Sequence, residues 1–461
     1  MQKLKFIWPD KSTITKGAFR AVKILRAKGF ATYVAGGAVR DALLARPIIE
    51  IDIATEALPA QVKKLFKKSI PTGEKHGTIT VRSGNSHYEI TTFRKESIYE
   101  NVRRPKNVKF ISDPETDAKR RDFTINAMFF DPETREIVDY ADGIEDLRRR
   151  RIRLVGDPDD RITEDALRML RAVRLSTILN FEIEKETRRA IARHAKLIRK
   201  ISAERVKQEL DKMIMAERAS AGIGLLDTVG LLQQILPELK SCQNVTQPKN
   251  LHREGDVYTH SILALEQVNE EFDLPTRYAV LFHDLGKVKT RELRKNKITF
   301  YNHQNVGAEL VLRICRRLKF SRADEDKISW LVRSHLVPND FRAMRLGTRR
   351  KWGLSPHFAD LLRVYWADAS ATLNPAGRGD SNPVGYRVGQ KILTEIKNTP
   401  QLAKPILSGT DVMRVMKIKP GPLVGKILKT IEEKKLENKL KTKKDALGYL
   451  KLNKNKLLKQ K

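Results

Sequence analysis

Cysteine is nearly missing from this chain: Cys242 and Cys315 are the only two in 461 residues. That excludes a disulfide framework and a thiolate zinc site, and it fits a reducing cytoplasm. No run of 18 apolar residues occurs, and the start, "MQKLKFIWPDKSTI", has no apolar signal core, so neither membrane insertion nor export is expected. Acidic residues are scarce as well, 56 Asp and Glu against 90 Lys and Arg, for a formal net charge of +34. A surface this positive attracts polyanions, and nucleic acid held through its phosphates is the expected partner. The hydrophobic share, 40%, is ample for globular structure, while the length exceeds one ordinary core and predicts two to four domains.

The pattern along the chain predicts an α+β protein: a small mixed-sheet head over 1–145, a helical neck over 146–220, a helical body over 221–375 and a basic helical tail over 376–461. Helical periodicity marks "AFRAVKILRAKG", and short strands mark "YVAGG", "IEIDIAT", "TITVRS" and "HYEITTFR". Between Arg94 and Arg120 the stretch "KESIYENVRRPKNVKFISDPETDAK" is polar with few core residues and is expected to be a mobile loop. "NPAGRGDSNPVG" reads as a linker. Residues 401–461 hold 17 basic against 5 acidic residues, which fits either a disordered tail or a helix lying on RNA.

"RPIIEIDIAT" places Glu50 and Asp52 in what reads as a buried strand. Alternation would set the two acids side by side, with Ile49, Ile51 and Ile53 entering the apolar side. Like charges persist beside a core when cations neutralise them. Just upstream, a strand runs through Gly36-Gly37 into a helix, which brings bare backbone N–H groups to a helix start where phosphate can sit. Together these predict Mg2+-dependent chemistry on a nucleoside triphosphate.

Seven motifs, "GGAVRD", "EIDIAT", "EITTFR", "RRDFTINAM", "DYADGIEDL", "EDALRMLRAVR" and "ERVKQEL", stand in the order found in class II tRNA nucleotidyltransferases, and the chain resembles that family and the related bacterial poly(A) polymerases. The resemblance implies addition of CCA to the tRNA 3′ end from CTP and ATP. It implies that Glu50 and Asp52 hold two Mg2+ ions, with Glu89 as third carboxylate, and that Gly36, Gly37, Arg40, Asp41, Arg120, Arg121, Asp122 and Asn126 surround the nucleotide. Asp165 and Arg168 would select the base, and Arg171 and Arg174 would also bind the nucleotide; three residues apart on a helix, Asp165 and Arg168 would share a face, as would a simple ion pair. Two positions depart from the family. Glu50 stands where the family has Asp, and a tolerated variant, an impaired transferase and an introduced substitution all fit. Asn101 stands where the family's flexible loop has an acid, ahead of Arg103 and Pro105, with Glu100 as a neighbouring substitute.

Five of nine histidines fall between 252 and 335. "VYTHSI", "HDLGK", "YNHQNVGAE", "VRSH" and "YWADA" resemble the HD phosphohydrolase superfamily. That likeness implies one divalent metal on His260, His283, Asp284 and Asp368, and a second metal or phosphate on His303 and His335. It further implies a phosphatase or 2′,3′-cyclic phosphodiesterase acting on RNA 3′ ends. The alternatives are a poly(A) polymerase, an enzyme adding only C or only A, and an HD hydrolase whose head only binds RNA.

Overall fold

The computed structural model describes residues 1–458 apart from 85, 101–103, 249–251, 296 and 375, and divides into two compact units, Met1–Pro237 and Glu238–Lys461. Asn101 and Arg103 therefore lie outside the described residues.

The first unit is built on a mixed sheet of β1 (Gln2–Lys5), β2 (Thr32–Ala35), β3 (Asp52–Thr55), β4 (Ser69–Gly73), β5 (Thr78–Ser83), β6 (Ser86–Thr92), β9 (Phe129–Asp131) and β10 (Glu136–Asp139). Its order is β1-β10-β9-β2-β3-β6-β5-β4, and its one parallel pair is β3 with β6, where Ile53 faces Ile90. The intervening β7 (Arg94–Glu100) and β8 (Arg104–Phe110) form a separate antiparallel ribbon. Much of the expected loop is thus paired strand. A two-stranded ladder satisfies its own backbone donors and acceptors without a buried core, so polar composition did not exclude it.

Helix α1 (Thr13–Arg26) starts at a Ser12 cap, whose Oγ accepts from Thr15 N, and turns Ala18, Ala21, Val22 and Leu25 inward. An aromatic cluster closes the same side: Trp8 and Phe130 lie 4.8 Å apart, with Phe6 and Phe19 around them. Further on, the chain is helical at Pro158–Glu164, Leu167–Leu179, Lys185–His194 and Ala203–Ile214.

Among the described residues the second unit is mainly helical, with a short antiparallel strand pair, Glu292–Arg294 with Lys297–Thr299. Its last helices, Gly409–Met416, Pro422–Leu436, Lys443–Leu452 and Lys454–Leu458, enclose a core of Val412, Met416, Ile427, Ile431, Ala446 and Leu450. The basic tail is therefore folded, with Ser408–Asp411 and Thr442–Asp445 capping boxes starting two of its helices. Among the described residues, no helix is long and apolar enough to cross a membrane.

Candidate active site and metal centre

A cleft of about 740 Å³ in the first unit is walled by the Gly36-Gly37 turn, by Asp52 of β3, by Glu89 of β6 and by six arginines, Arg94, Arg120, Arg121, Arg168, Arg171 and Arg205. The sheet explains the acids. Ile53 and Ile90 are buried partners in the parallel pair, so their neighbours Asp52 and Glu89 turn to the other face, toward the cleft. Glu50 is not on the strand, which begins at Asp52; Glu50 is exposed, and Ile49, expected on the apolar side, is 85% exposed. Only Ile51 and Ile53 of that trio enter the core. The partner strand β2 ends at Ala35, opposite Asp52, where Gly36 turns the chain into a helix, so residues before Asp52 find no ladder to join. The acids still sense each other: burial first, then the charges of Glu50 and Glu89, push the Asp52 carboxyl up to about 6, against the pull of Arg121. Carboxylates that repel in this way fit a divalent cation.

Gly36 begins helix α2 (Gly37–Leu43) at φ 74° and ψ −139°, a conformation that favours glycine, with the Asp52 Oδ2 and Arg121 Nη1 atoms just beyond where a Cβ would stand. Arg40 spans from α2 to Asn126, donating from Nη1 to Oδ1 at 2.7 Å, and pairs in fork fashion with Asp41. Neither Arg40 nor Asp41 lines the cleft. Arg120 and Arg121 are aimed by Asp117, a buried acid at 2.6 and 3.1 Å, and Arg121 also lies over the Phe129 ring. Asp122 is ion-paired to Arg171 at 2.6 Å; burial would raise this carboxyl, but Arg171, the Phe123 N–H, Arg168 and Asn126 together outweigh burial and hold it low.

Asp165 and Arg168 do not share a helical face. Asp165 sits in the break between two helices, at φ −143°, and pairs with Arg205 at 2.8 Å. Arg168, in the following helix, is buried and donates to Glu164 and to the Arg161 carbonyl. No Asp165–Arg168 ion pair forms; each pairs elsewhere, and both residues stand in the cleft wall. Arg205 was not among the expected site residues, although it stands in the motif "ERVKQEL". Arg174 is held by Glu209 at 2.5 Å and is not in the wall.

In the second unit the six expected ligands converge. His260 Nε2 lies 3.0 Å from Asp368 Oδ1 and 3.2 Å from His283 Nε2; His303 Nε2 lies 3.3 Å from His335 Nε2; Asp284 lies between, 3.3 Å from His283 and 3.4 Å from His303. Local structure sets the tautomers. Nδ1–H of His283, His303 and His335 donates to the carbonyls of Val280, Phe300 and Val332, and that of His260 donates to Glu254. Four Nε2 atoms therefore face inward with two buried carboxylates, a donor set that fits divalent metal ions once those nitrogens give up their protons. Burial lowers His283, but Asp284 and Asp368 outweigh it and push that imidazole up to about 10; burial, with His283 and His303, pushes His335 down to about 3. Gly286 lets the turn after Asp284 lie against the start of helix His303–Arg317, where a Cβ would collide with the His303 carbonyl. Glu254, which also accepts from His252, was not expected; no motif marks it, because it acts through His260.

A mixed-sheet nucleotidyltransferase head joined to an HD domain is the class these two sites define. Residues 32–153 match the "Poly A polymerase head domain" family, 180–243 an RNA-binding family of polymerase A, 257–369 the "HD domain" family and 390–450 the family "tRNA nucleotidyltransferase domain 2". The CCA-adding enzyme of Lactococcus lactis is 34% identical over 438 residues, 91% of this chain and 92% of that one, and that of Lactobacillus delbrueckii is 50% identical over 200 residues, 43% of this chain and 50% of that one. The crystal structure of the Bacillus stearothermophilus CCA-adding enzyme in complex with CTP is similar over 97% of this chain and 99% of that one, with a TM-score of 0.70 and 26% identity. The chain belongs to the CCA-adding enzymes, the tRNA nucleotidyltransferases.

Proposed function

We propose that the first unit adds C, C and A to the 3′ end of tRNA from CTP and ATP, with residues 1–145 as head, 146–220 as base-selecting neck, and 221–375 and 376–461 as body and tail gripping the acceptor half. The observation that carries this reading is the placing of Asp52 and Glu89 on paired strands opposite a wall of six arginines. Glu50, Asp52 and Glu89 would hold Mg2+, which makes the tRNA 3′-hydroxyl more acidic and steadies the departing pyrophosphate. Around that centre, the Gly36-Gly37 turn offers backbone N–H groups to phosphate, and Arg120 and Arg121, fixed by Asp117, take triphosphate charge. Asp165 offers an acceptor and Arg168 donors to the base edge. The net charge of +34 predicts tRNA affinity that falls steeply with salt. Its two cysteines, both buried and free, suit a reducing cytoplasm.

The test offers the protein tRNA transcripts ending at the discriminator base, at C and at CC, with Mg2+ and labelled CTP, ATP or both. Growth by three, two and one residues and then a stop is the expected result. A stop at CC, unlimited A or no growth would each overturn it.

A second reading rests on the four inward Nε2 atoms and two buried carboxylates of the second unit: a divalent-metal phosphohydrolase acting on RNA 3′ phosphates. Release of phosphate from, or ring opening of, a tRNA ending in a 3′-phosphate or 2′,3′-cyclic phosphate tests it, and inertness toward both with metal supplied would sink it.

A further inference from the structure

The segment expected to be a linker is laid along the helix that carries Asp368. Asp380 N donates to the Ala369 carbonyl at 3.0 Å, and Trp366 Nε1 donates to the Ser381 carbonyl at 2.9 Å. Gly379 sits so close that a Cβ would collide with the Ser370 carbonyl. This strap forms one side of a cavity of about 570 Å³ whose other sides include Asp284, His303, His335 and Asp368. Arg378 and Asp380 are its charged members.

The cavity's two longer cations differ in what they already hold. Lys287 is committed: its Nζ lies 2.6 Å from Asp284, donates to Gln247 Oε1 at 2.7 Å and stands 5.3 Å above the Phe300 ring. Arg378 is anchored only through its backbone, its N–H donating to Asn374 Oδ1 at 3.2 Å and its carbonyl accepting from Asn374 N at 3.0 Å. Arg378 lines the cavity as an exposed residue, and its side chain has no acceptor among the described residues. The strap's own acid, Asp380, also lines the cavity, with its Oδ1 accepting from Asn382 N at 3.0 Å. A guanidinium offers five donors in a planar fork that matches the oxygens of a phosphate group, and Arg378 shares this cavity with the metal-type cluster.

We propose that Arg378 is the phosphate-binding residue of this cavity, gripping the non-bridging oxygens of a phosphate ester at an RNA 3′ end while the His and Asp cluster meets the same phosphorus. The proposal rests on the hydrolase reading and assigns its substrate contact to the strap. A terminal 3′-phosphate and a 2′,3′-cyclic phosphate share this chemistry. Water attacks phosphorus in both cases: the first loses inorganic phosphate and leaves a ribose hydroxyl, and the second breaks one ring P–O bond and leaves a monoester.

The full chain, Arg378→Ala and Arg378→Lys are compared in four measurements: bound divalent metal by mass spectrometry, inorganic phosphate binding by calorimetry, KM and kcat on both tRNA ends, and CTP and ATP incorporation as a control for folding. For Arg378→Ala we expect weaker phosphate binding and a KM raised roughly ten- to hundredfold, the loss of charge-assisted hydrogen bonds. Metal content and incorporation should stay unchanged, and Arg378→Lys should recover part of the loss. A larger KM effect on one end than on the other identifies the natural substrate. Unchanged phosphate binding in Arg378→Ala, or a wild type that binds no phosphate, overturns the proposal. If wild type binds phosphate through Arg378 but hydrolyses neither end, the hydrolase reading fails and the binding site stands.

Discussion

Arg205 Nη2 meets Asp165 Oδ2 at 2.8 Å, joining the break between two helices to a third helix forty residues further along the chain. The acid at the heart of the expected base-reading pair is thus held by an arginine and left with limited freedom to turn. Arg205→Ala should release it. Incorporation opposite the four nucleoside triphosphates, resolved at single-nucleotide length, is expected to show discrimination against UTP and GTP falling about tenfold or more, because misplacing a reading group by about 1 Å costs on this scale. Unchanged selectivity would show that Asp165 needs no such support.

Glu50 lies ahead of β3, yet its charge reaches Asp52. Glu50→Gln removes that charge while keeping the length, and transfer should fall on the order of a hundredfold. Glu50→Asp should stay within a few-fold of wild type, since an exposed side chain ahead of the strand has room to adjust. A large gain in Glu50→Asp would instead mark the native glutamate as an impairment.

Asp117 gives a pH-dependent prediction. Burial would raise its carboxyl; Arg121 and Arg120 outweigh burial and hold it below the ordinary range. Because the folded value is lowered, its stabilising contribution is complete above the unfolded value near about 4 and is lost as pH falls through the folded value. Asp117→Asn should therefore destabilise the protein by about 3 kcal/mol at pH 7, the usual cost of breaking a buried pair, with the gap narrowing on acidification below about pH 4. Urea unfolding across that range measures it.

Glu254 ties His260 and His252 together, and burial notwithstanding its carboxyl is held down to about 2 by those imidazoles. Glu254→Gln keeps the shape and weakens the hold on the His260 tautomer. Divalent metal affinity of the second unit should drop roughly ten- to hundredfold, with CTP and ATP incorporation by the head intact. Equal metal content after dialysis against a weak chelator would contradict this.

Much of this was legible in the residues. The strand-turn-helix around Gly36 and the facing of Glu89 away from Tyr88 and Ile90 follow from period-two alternation, and the structure shows them. So does the convergence of His260, His283, Asp284, His303, His335 and Asp368, which motif order alone implied. The misses share a cause, which is that periodicity says nothing of where an element stops. Asp165 reads as helical because its neighbours do, but it ends one helix before the next begins. β1, a short strand at the edge, has no clean alternation and is visible only through its pairing with β10. Arg378 lies in a Gly- and Pro-rich stretch whose path is set by bonds to another helix, and no local signal carries that.

The pairing of Gln2–Lys5 with Glu136–Asp139 also bears on how the chain is made. This strand leaves the ribosome more than a hundred residues ahead of its partner, with its ladder of N–H and C=O groups open meanwhile to any other nascent chain. Lys3 and Lys5, which in the finished sheet pair with Glu136 at 3.7 and 3.1 Å, are also the residues that discourage such pairing in the interval. Replacing both with threonine should cost the folded enzyme little and show itself instead as aggregates during synthesis at high expression.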